Sequence, residues 1–194
     1  MSERVIKAAL LGLGTVGTGV YKVLKNQEEE MTAKIGCKVE ITKILVRNIE
    51  KAAAKLGDTA LLTNQWEEIV NDPEIEIVIE LIGGINPARD YILQALNSGK
   101  HVVSANKDLI AVHGHELLEA AHNNKVDFIL THCTASSTAA LLSHGLYKPD
   151  KLTNYLEEIR RNVDYKRWLC GHYHDNKAIT IKDIVIYEQI VRIA

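Results

Sequence analysis

Three glycines near the amino terminus carry the first chemical signal. Gly12, Gly14 and Gly17 stand in the pattern G-x-G-x-x-G, with Thr15 and Val16 inside it. The run follows a short apolar stretch, Val5 to Leu11, and leads into Val16, Val20, Val23 and Leu24 at helical spacing. A strand, a glycine turn and a helix in that order make a cradle for a dinucleotide. One glycine permits the tight turn, the next leaves room for a pyrophosphate against the backbone, and the third lets helix and strand pack closely. The helix N-terminus then turns free N–H groups and partial positive charge toward the phosphates. A bare glycine turn is the alternative, and the strand-loop-helix context argues against it.

Two further positions refine the ligand. The second expected strand ends Leu45-Val46-Arg47-Asn48, without the Asp or Glu that would take the ribose hydroxyls of NAD. Arg47 is either a partner for the 2′-phosphate of NADP or a solvated surface arginine. Ala105-Asn106-Lys107 lies between a strand's carboxyl end and a helix, where open α/β sheets place ligands. Lys107 could orient an anion or a carbonyl there and is the candidate catalytic residue. Its alternative is an exposed lysine at a helix start.

The elements that must position these residues alternate along the chain. Strands are expected at 5–11, 38–46, 75–82, 101–103 and 126–130. A helix is expected at 49–56, stopped by Gly57, and another over 108–122 with Leu109, Leu117, Leu118 and Ala121 facing inward. Asn86-Pro87 reads as the N-cap and first turn of a helix that ends at Gly99. Glu28-Glu29-Glu30 reads as the solvated end of the first helix. Strand-helix alternation with short links predicts an α/β fold, a doubly wound, mostly parallel Rossmann-type sheet. Beyond residue 130, helices at 135–142 and 151–162 and strands at 167–169 and 184–190 predict a mixed α/β extension. We therefore expect an NAD(P)-binding domain over 1–130 and a C-terminal segment over 131–194 that continues the same sheet.

Composition narrows the partners. A formal net charge of -2 offers no basic footprint for nucleic acid. No apolar run is long enough to span a bilayer, and Met1-Ser2-Glu3-Arg4 lacks the apolar stretch of a signal peptide. Cys37, Cys133 and Cys170 are odd in number and have no C-x-x-C spacing, so reduced thiols in a cytoplasmic protein are expected. Self-association into a homo-oligomer is left open.

At this point several ordered motifs carry a family likeness. Ala8 to Gly17, Val78 to Gly84, Pro87-Ala88-Arg89 and Gly99 to Lys107 resemble the cofactor domain of homoserine dehydrogenases, from about Val5 to Phe128. The resemblance implies oxidoreduction between homoserine and aspartate semialdehyde with NAD or NADP. It implies that Gly83 and Gly84 lie along the cofactor, and that Ser104, Asn106 and Lys107 lie near the nicotinamide and the substrate entrance. The family continues into a substrate domain, which the residues after Phe128 do not clearly show.

The tail carries a second resemblance. Val126 to Cys133, Trp168 to His174 and Ile186 to Ile190 resemble the C-terminal half of calcineurin-like metallophosphoesterases. That likeness implies His132, His172 and His174 as metal ligands, since neutral imidazoles suit Zn, Mn or Fe. The acidic ligand motifs of that family are absent, so a divalent metal is not favoured. Both families run a buried strand through 126–130, and a chimera joined there is the economical reading of the two resemblances.

Overall fold

The computed structural model describes residues 4–57, 59–123 and 128–187. Its first unit centres on a five-stranded sheet. The strands are β1 (Val5–Leu11), β2 (Lys38–Leu45), β3 (Leu62–Thr63), β4 (Ile75–Glu80) and β5 (His101–Ser104). Their order is β3-β2-β1-β4-β5, and every pairing is parallel. The helices between them are α1 (Thr15–Asn26), α2 (Glu28–Ile35), α3 (Ile49–Leu56), α4 (Glu67–Val70), α5 (Ala88–Asn97) and α6 (Lys107–Asn123).

The apolar content of β1 explains its central place. Ala8, Ala9, Leu10 and Leu11 are all fully buried. Side chains alternate across a strand, so Ala8 and Leu10 join one cluster with Ile44 and Ala52, while Ala9 and Leu11 join another with Ile69 and Val78. A strand buried on both faces has no polar side to show, as a doubly wound sheet requires.

Three local expectations are corrected. Glu28, Glu29 and Glu30 do not end α1; they form the first turn of α2, where carboxylates complement the free N–H groups of a helix start. Asn86 does not cap α5. The cap position is Pro87, without a side-chain cap, and the Asn86-Pro87 peptide is cis. Val16 and Val23 are exposed, so α1 packs through Val20 and Leu24.

The second unit holds β6 (Phe128–Thr131), α7 (Ser136–Leu142), α8 (Lys151–Asn162), β7 (Arg167–Cys170), β8 (Lys177–Ala178) and β9 (Asp183–Val185). These strands form a separate four-stranded sheet of order β6-β7-β9-β8, with only the β8–β9 pairing antiparallel. The tail thus does not continue the first sheet. It has an apolar centre of its own, where fully buried Trp168 packs among Ile129, Leu156, Ile159 and Val185, and β6 pairs with β7. Compact packing divides the chain inside α6, between Leu117 and Leu118, upstream of the expected boundary after residue 130. The ends of two expected strands, 126–127 and 188–190, lie outside the described residues, as do Met1, Ser2 and Glu3.

Candidate dinucleotide site

The glycine loop joins the carboxyl end of β1 to α1. Gly12 has φ +95°, a conformation glycine adopts without strain, and its N–H donates to the Leu45 carbonyl at 2.9 Å. A Cβ at Gly17 would come within 2.1 Å of the Gly12 carbonyl oxygen, so only glycine lets α1 start this close to the strand. A Cβ at Gly14 would meet nothing within 4 Å. Gly14 is the cap residue of α1 and has no side chain to bond the helix's first N–H groups. Thr15 and Val16, in the first turn, are exposed. A bare helix start beside open space is the arrangement that accepts a diphosphate.

The ends of β4 and β5 stand alongside. Gly83 and Gly84, with φ +76° and +74°, carry the chain out of β4 and are exposed. Glu80, at the end of β4, is fully buried. Its Oε1 accepts from the N–H of Ile82 at 2.8 Å and of Gly83 at 3.3 Å, and its Oε2 accepts from the Ser104 hydroxyl at 2.6 Å. Ser104 in turn accepts the Asn106 N–H at 3.1 Å. The Asn106 side chain donates to the Gly84 carbonyl at 2.5 Å and accepts from Leu109 N–H at 3.1 Å, capping α6. Lys107 is exposed at the first residue of that helix.

Sequence reasoning singled out Ser104 and Asn106 by resemblance but missed Glu80, the group that joins them to the glycines. An acid closing the apolar run Ile77-Val78-Ile79 is the signal that could have found it, because a buried carboxyl group must be hydrogen-bonded. Lys55 was also missed. From the last turn of α3 it donates to the Leu13 carbonyl at 3.1 Å, against the glycine loop. Arg47 is exposed just beyond β2, and Asn48 after it caps α3 through a 2.7 Å bond from Lys51 N–H.

The three histidines of the tail do not assemble as expected. His172 Nδ1 and His132 Nε2 lie 3.0 Å apart, while His174 stacks on Tyr187 with ring centroids 4.6 Å apart. The residues are two apart on a turn, in left-handed backbone at both His172 and His174, and the turn carries their rings to different neighbours. Among the described residues no group of three or more His, Cys, Asp or Glu side chains could hold a metal ion. A pair of imidazoles with no third ligand beside it among the described residues does not make a dinuclear metal centre. The three cysteines are free, Cys133 and Cys170 being buried. Among the described residues no helix is long and apolar enough to cross a membrane.

Sheet order, glycine loop and helix start together define a Rossmann-type dinucleotide-binding domain. Residues 12–131 match the family model described as the homoserine dehydrogenase NAD binding domain, and the chain belongs to that family. It is similar to the homoserine dehydrogenase of Bacillus subtilis (strain 168), 39% identical over 164 residues that cover 84% of this chain and 38% of that relative. The homoserine dehydrogenase of Methylobacillus glycogenes is 47% identical over 106 residues, 55% of this chain and 26% of that one. Among solved structures, the homoserine dehydrogenase of Thiobacillus denitrificans superposes with a TM-score of 0.60 at 46% identity, over 63% of this chain and 28% of that one. That of S. aureus at pH 6.5 gives 0.59 at 31% identity, over 81% and 43%.

The chain thus spans well under half of each of these relatives. A match over 84% of the chain cannot be contained within residues 1–130, so the dehydrogenase likeness runs on into the tail. The phosphoesterase likeness and the chimera find no support in these comparisons.

Proposed function

We propose that the chain is the cofactor half of a dehydrogenase that interconverts homoserine and aspartate semialdehyde, and that it takes NADPH at least as well as NADH. The observation that carries this is the contrast within the glycine loop: closed at Gly17, open at Gly14. The dinucleotide would supply the hydride. The protein's own part is to hold it, with the diphosphate on the α1 N-terminus beside Gly12, Gly14, Thr15, Val16 and Gly17. Gly83 and Gly84 would line its course, and Ser104, Asn106 and Lys107 would flank the nicotinamide. Lys107 would orient the substrate oxygen there.

Arg47 would meet the 2′-phosphate. Neither of its sequence neighbours, Val46 and Asn48, is an acid that would repel that group, and the Asn48 side chain is occupied as a helix cap. Each tenfold preference corresponds to about 1.4 kcal/mol. Titration calorimetry should therefore show NADPH binding as tight as NADH or tighter. Arg47→Ala should weaken NADPH and spare NADH, and a preference for NADH that survives Arg47→Ala would refute the assignment.

The site itself is tested by Gly14→Val. A Cβ at position 14 meets nothing within 4 Å, so the variant should fold and lose dinucleotide binding. Equal binding by Gly14→Val and the parent would show that the diphosphate sits elsewhere.

A further inference from the structure

The exposed loops named in the proposed site depend on a group that no ligand can reach. Glu80 is fully buried, yet its two oxygens accept three hydrogen bonds, two from the loop after β4 and one from the last residue of β5, all at the carboxyl edge of the sheet. Oε1 fixes the two amides that lead out of β4, Ile82 and Gly83. Oε2 takes the hydroxyl of Ser104, which faces it across the β4–β5 ladder. From Ser104 the chain of bonds passes to the Asn106 amide and returns through the Asn106 side chain to the Gly84 carbonyl. The circuit is closed: β4, its glycine loop, β5, the start of α6 and the glycine loop again. Asn106 also fixes the first turn of α6, and with it the backbone of Lys107.

The two glycines need such an external hold. Both sit at positive φ, and a Cβ at either would meet nothing within 4 Å, so no packing restrains them. Glycine is also the residue with the most backbone freedom to lose. A loop fixed only by hydrogen bonds to its backbone is as rigid as the group that accepts them.

We propose that Glu80 is a positioning residue for the nicotinamide half of the dinucleotide site. It sets Gly83, Gly84, Ser104 and Lys107 in place before the ligand arrives and never touches the ligand itself. This inference rests on the reading of Gly83 and Gly84 as lining the dinucleotide's course and of Ser104 and Lys107 as flanking the nicotinamide. No hydrogen bond of the circuit involves Gly12, Gly14 or Gly17: the Gly12 N–H donates to the Leu45 carbonyl, and the cradle meets the circuit only where Gly12 packs against the backbone of Leu81 and Ile82. Glu80 should thus govern the nicotinamide half of the ligand more than the diphosphate half.

The experiment compares NADPH with its nicotinamide-free fragment, 2′-phospho-ADP-ribose, by titration calorimetry on the parent, Glu80→Ala and Glu80→Gln. Glu80→Ala frees the loops, and NADPH affinity should fall about tenfold or more while the fragment loses clearly less. Glu80→Gln keeps one oxygen for Ile82 and Gly83 but can no longer accept the Ser104 hydroxyl, so its loss should be smaller. If Glu80→Ala does not fold, Glu80→Gln still has to show the unequal loss. Amide hydrogen exchange gives a second readout: Gly83 and Asn106 should exchange faster in the variants, with Gly17 unchanged. Equal loss of both ligands would make Glu80 a general stability residue and overturn the proposal. Unchanged NADPH binding in both variants would overturn it too. A parent that holds the fragment but gains nothing from the nicotinamide would overturn this inference and leave the diphosphate site standing. A parent that binds neither ligand would overturn the proposed function and this inference with it.

Discussion

A single methyl group separates the roles of two glycines. At Gly17 it would collide with a backbone oxygen, which no rotamer change relieves. Gly17→Ala should therefore lower the free energy of unfolding by about 1–3 kcal/mol or more, read from urea denaturation. Gly14→Val should lose only about 1 kcal/mol, since valine is a poorer helix cap than glycine but meets no neighbour. The cysteines are ordered by the same kind of argument. Burial pushes the Cys170 thiol up to about 11 and raises that of Cys133 as well. Near pH 8, roughly one Cys170 thiol in a thousand is the reactive thiolate. Iodoacetamide followed by mass spectrometry should label the half-buried Cys37 first and Cys170 last. These single-residue roles were only partly legible in the chain. The glycine spacing announced the loop, because few other structures need that pattern. Nothing in the spacing of Glu80, Ser104 and Asn106 announced a circuit, because it closes only when β4 and β5 pair.

Among the elements, α8 has the most explicit local coding. Asp150 accepts the Thr153 N–H at 2.7 Å, and the Thr153 hydroxyl accepts the Asp150 N–H at 2.9 Å, a reciprocal capping box. Asp150→Ala should cost about 1 kcal/mol, seen as a lower urea midpoint. The pairing of α5 with α6 is coded instead by charge. Arg89 forks onto both oxygens of Glu116, with Asp90 beside it and His113 facing Glu116 at 3.6 Å. The Arg89 hydrogen bond holds the Glu116 carboxyl below its ordinary value of 4.5. A carboxyl depressed by folding contributes stability above its unfolded value and loses it as pH falls through the folded one. The urea midpoint should therefore drop as pH falls below about 4.5, and Glu116→Gln should flatten that limb of the profile. Strand and helix positions were mostly readable from periodicity: β1 and α8 have the expected bounds. The two-residue β3 and β8 and the single turn of α4 were not, being too short to show a period. The break between α1 and α2 was missed because Gln27 is no conventional cap, and three glutamates suit a solvated face as well as a helix start.

At the scale of the whole molecule, the architecture of the first unit followed from the alternation of apolar runs with helices, and the family match agrees with it. The tail was harder because its elements are short and its sheet closes around one residue, Trp168, whose neighbours come from β6, α8 and β9. Two consequences are measurable on the 194-residue chain. NADPH at a hundred times its dissociation constant should stabilise the folded state by about 2.7 kcal/mol and raise the melting temperature, an effect Gly14→Val should abolish. Homoserine should not drive NADP⁺ reduction at an enzymatic rate. Positioning the substrate carbon against the nicotinamide can account for ~7–11 kcal/mol of such a barrier, and the homoserine dehydrogenase resemblance implies a separate substrate domain for that work. Saturable turnover that disappears in Lys107→Ala would overturn this and make the chain a compact dehydrogenase.

The unequal space around the glycines also bears on how damage in this gene would be noticed. A side chain at position 17 yields an unstable polypeptide that chaperones and proteases remove, so the defect would register as missing protein. A side chain at position 14 meets no obstacle at its Cβ, so on the proposed function it should leave a folded polypeptide at full abundance, antigenically intact and empty of ligand. A survey of variants scored by protein level would pass every substitution at position 14 that folds. Only a survey scored by cofactor retention would find them.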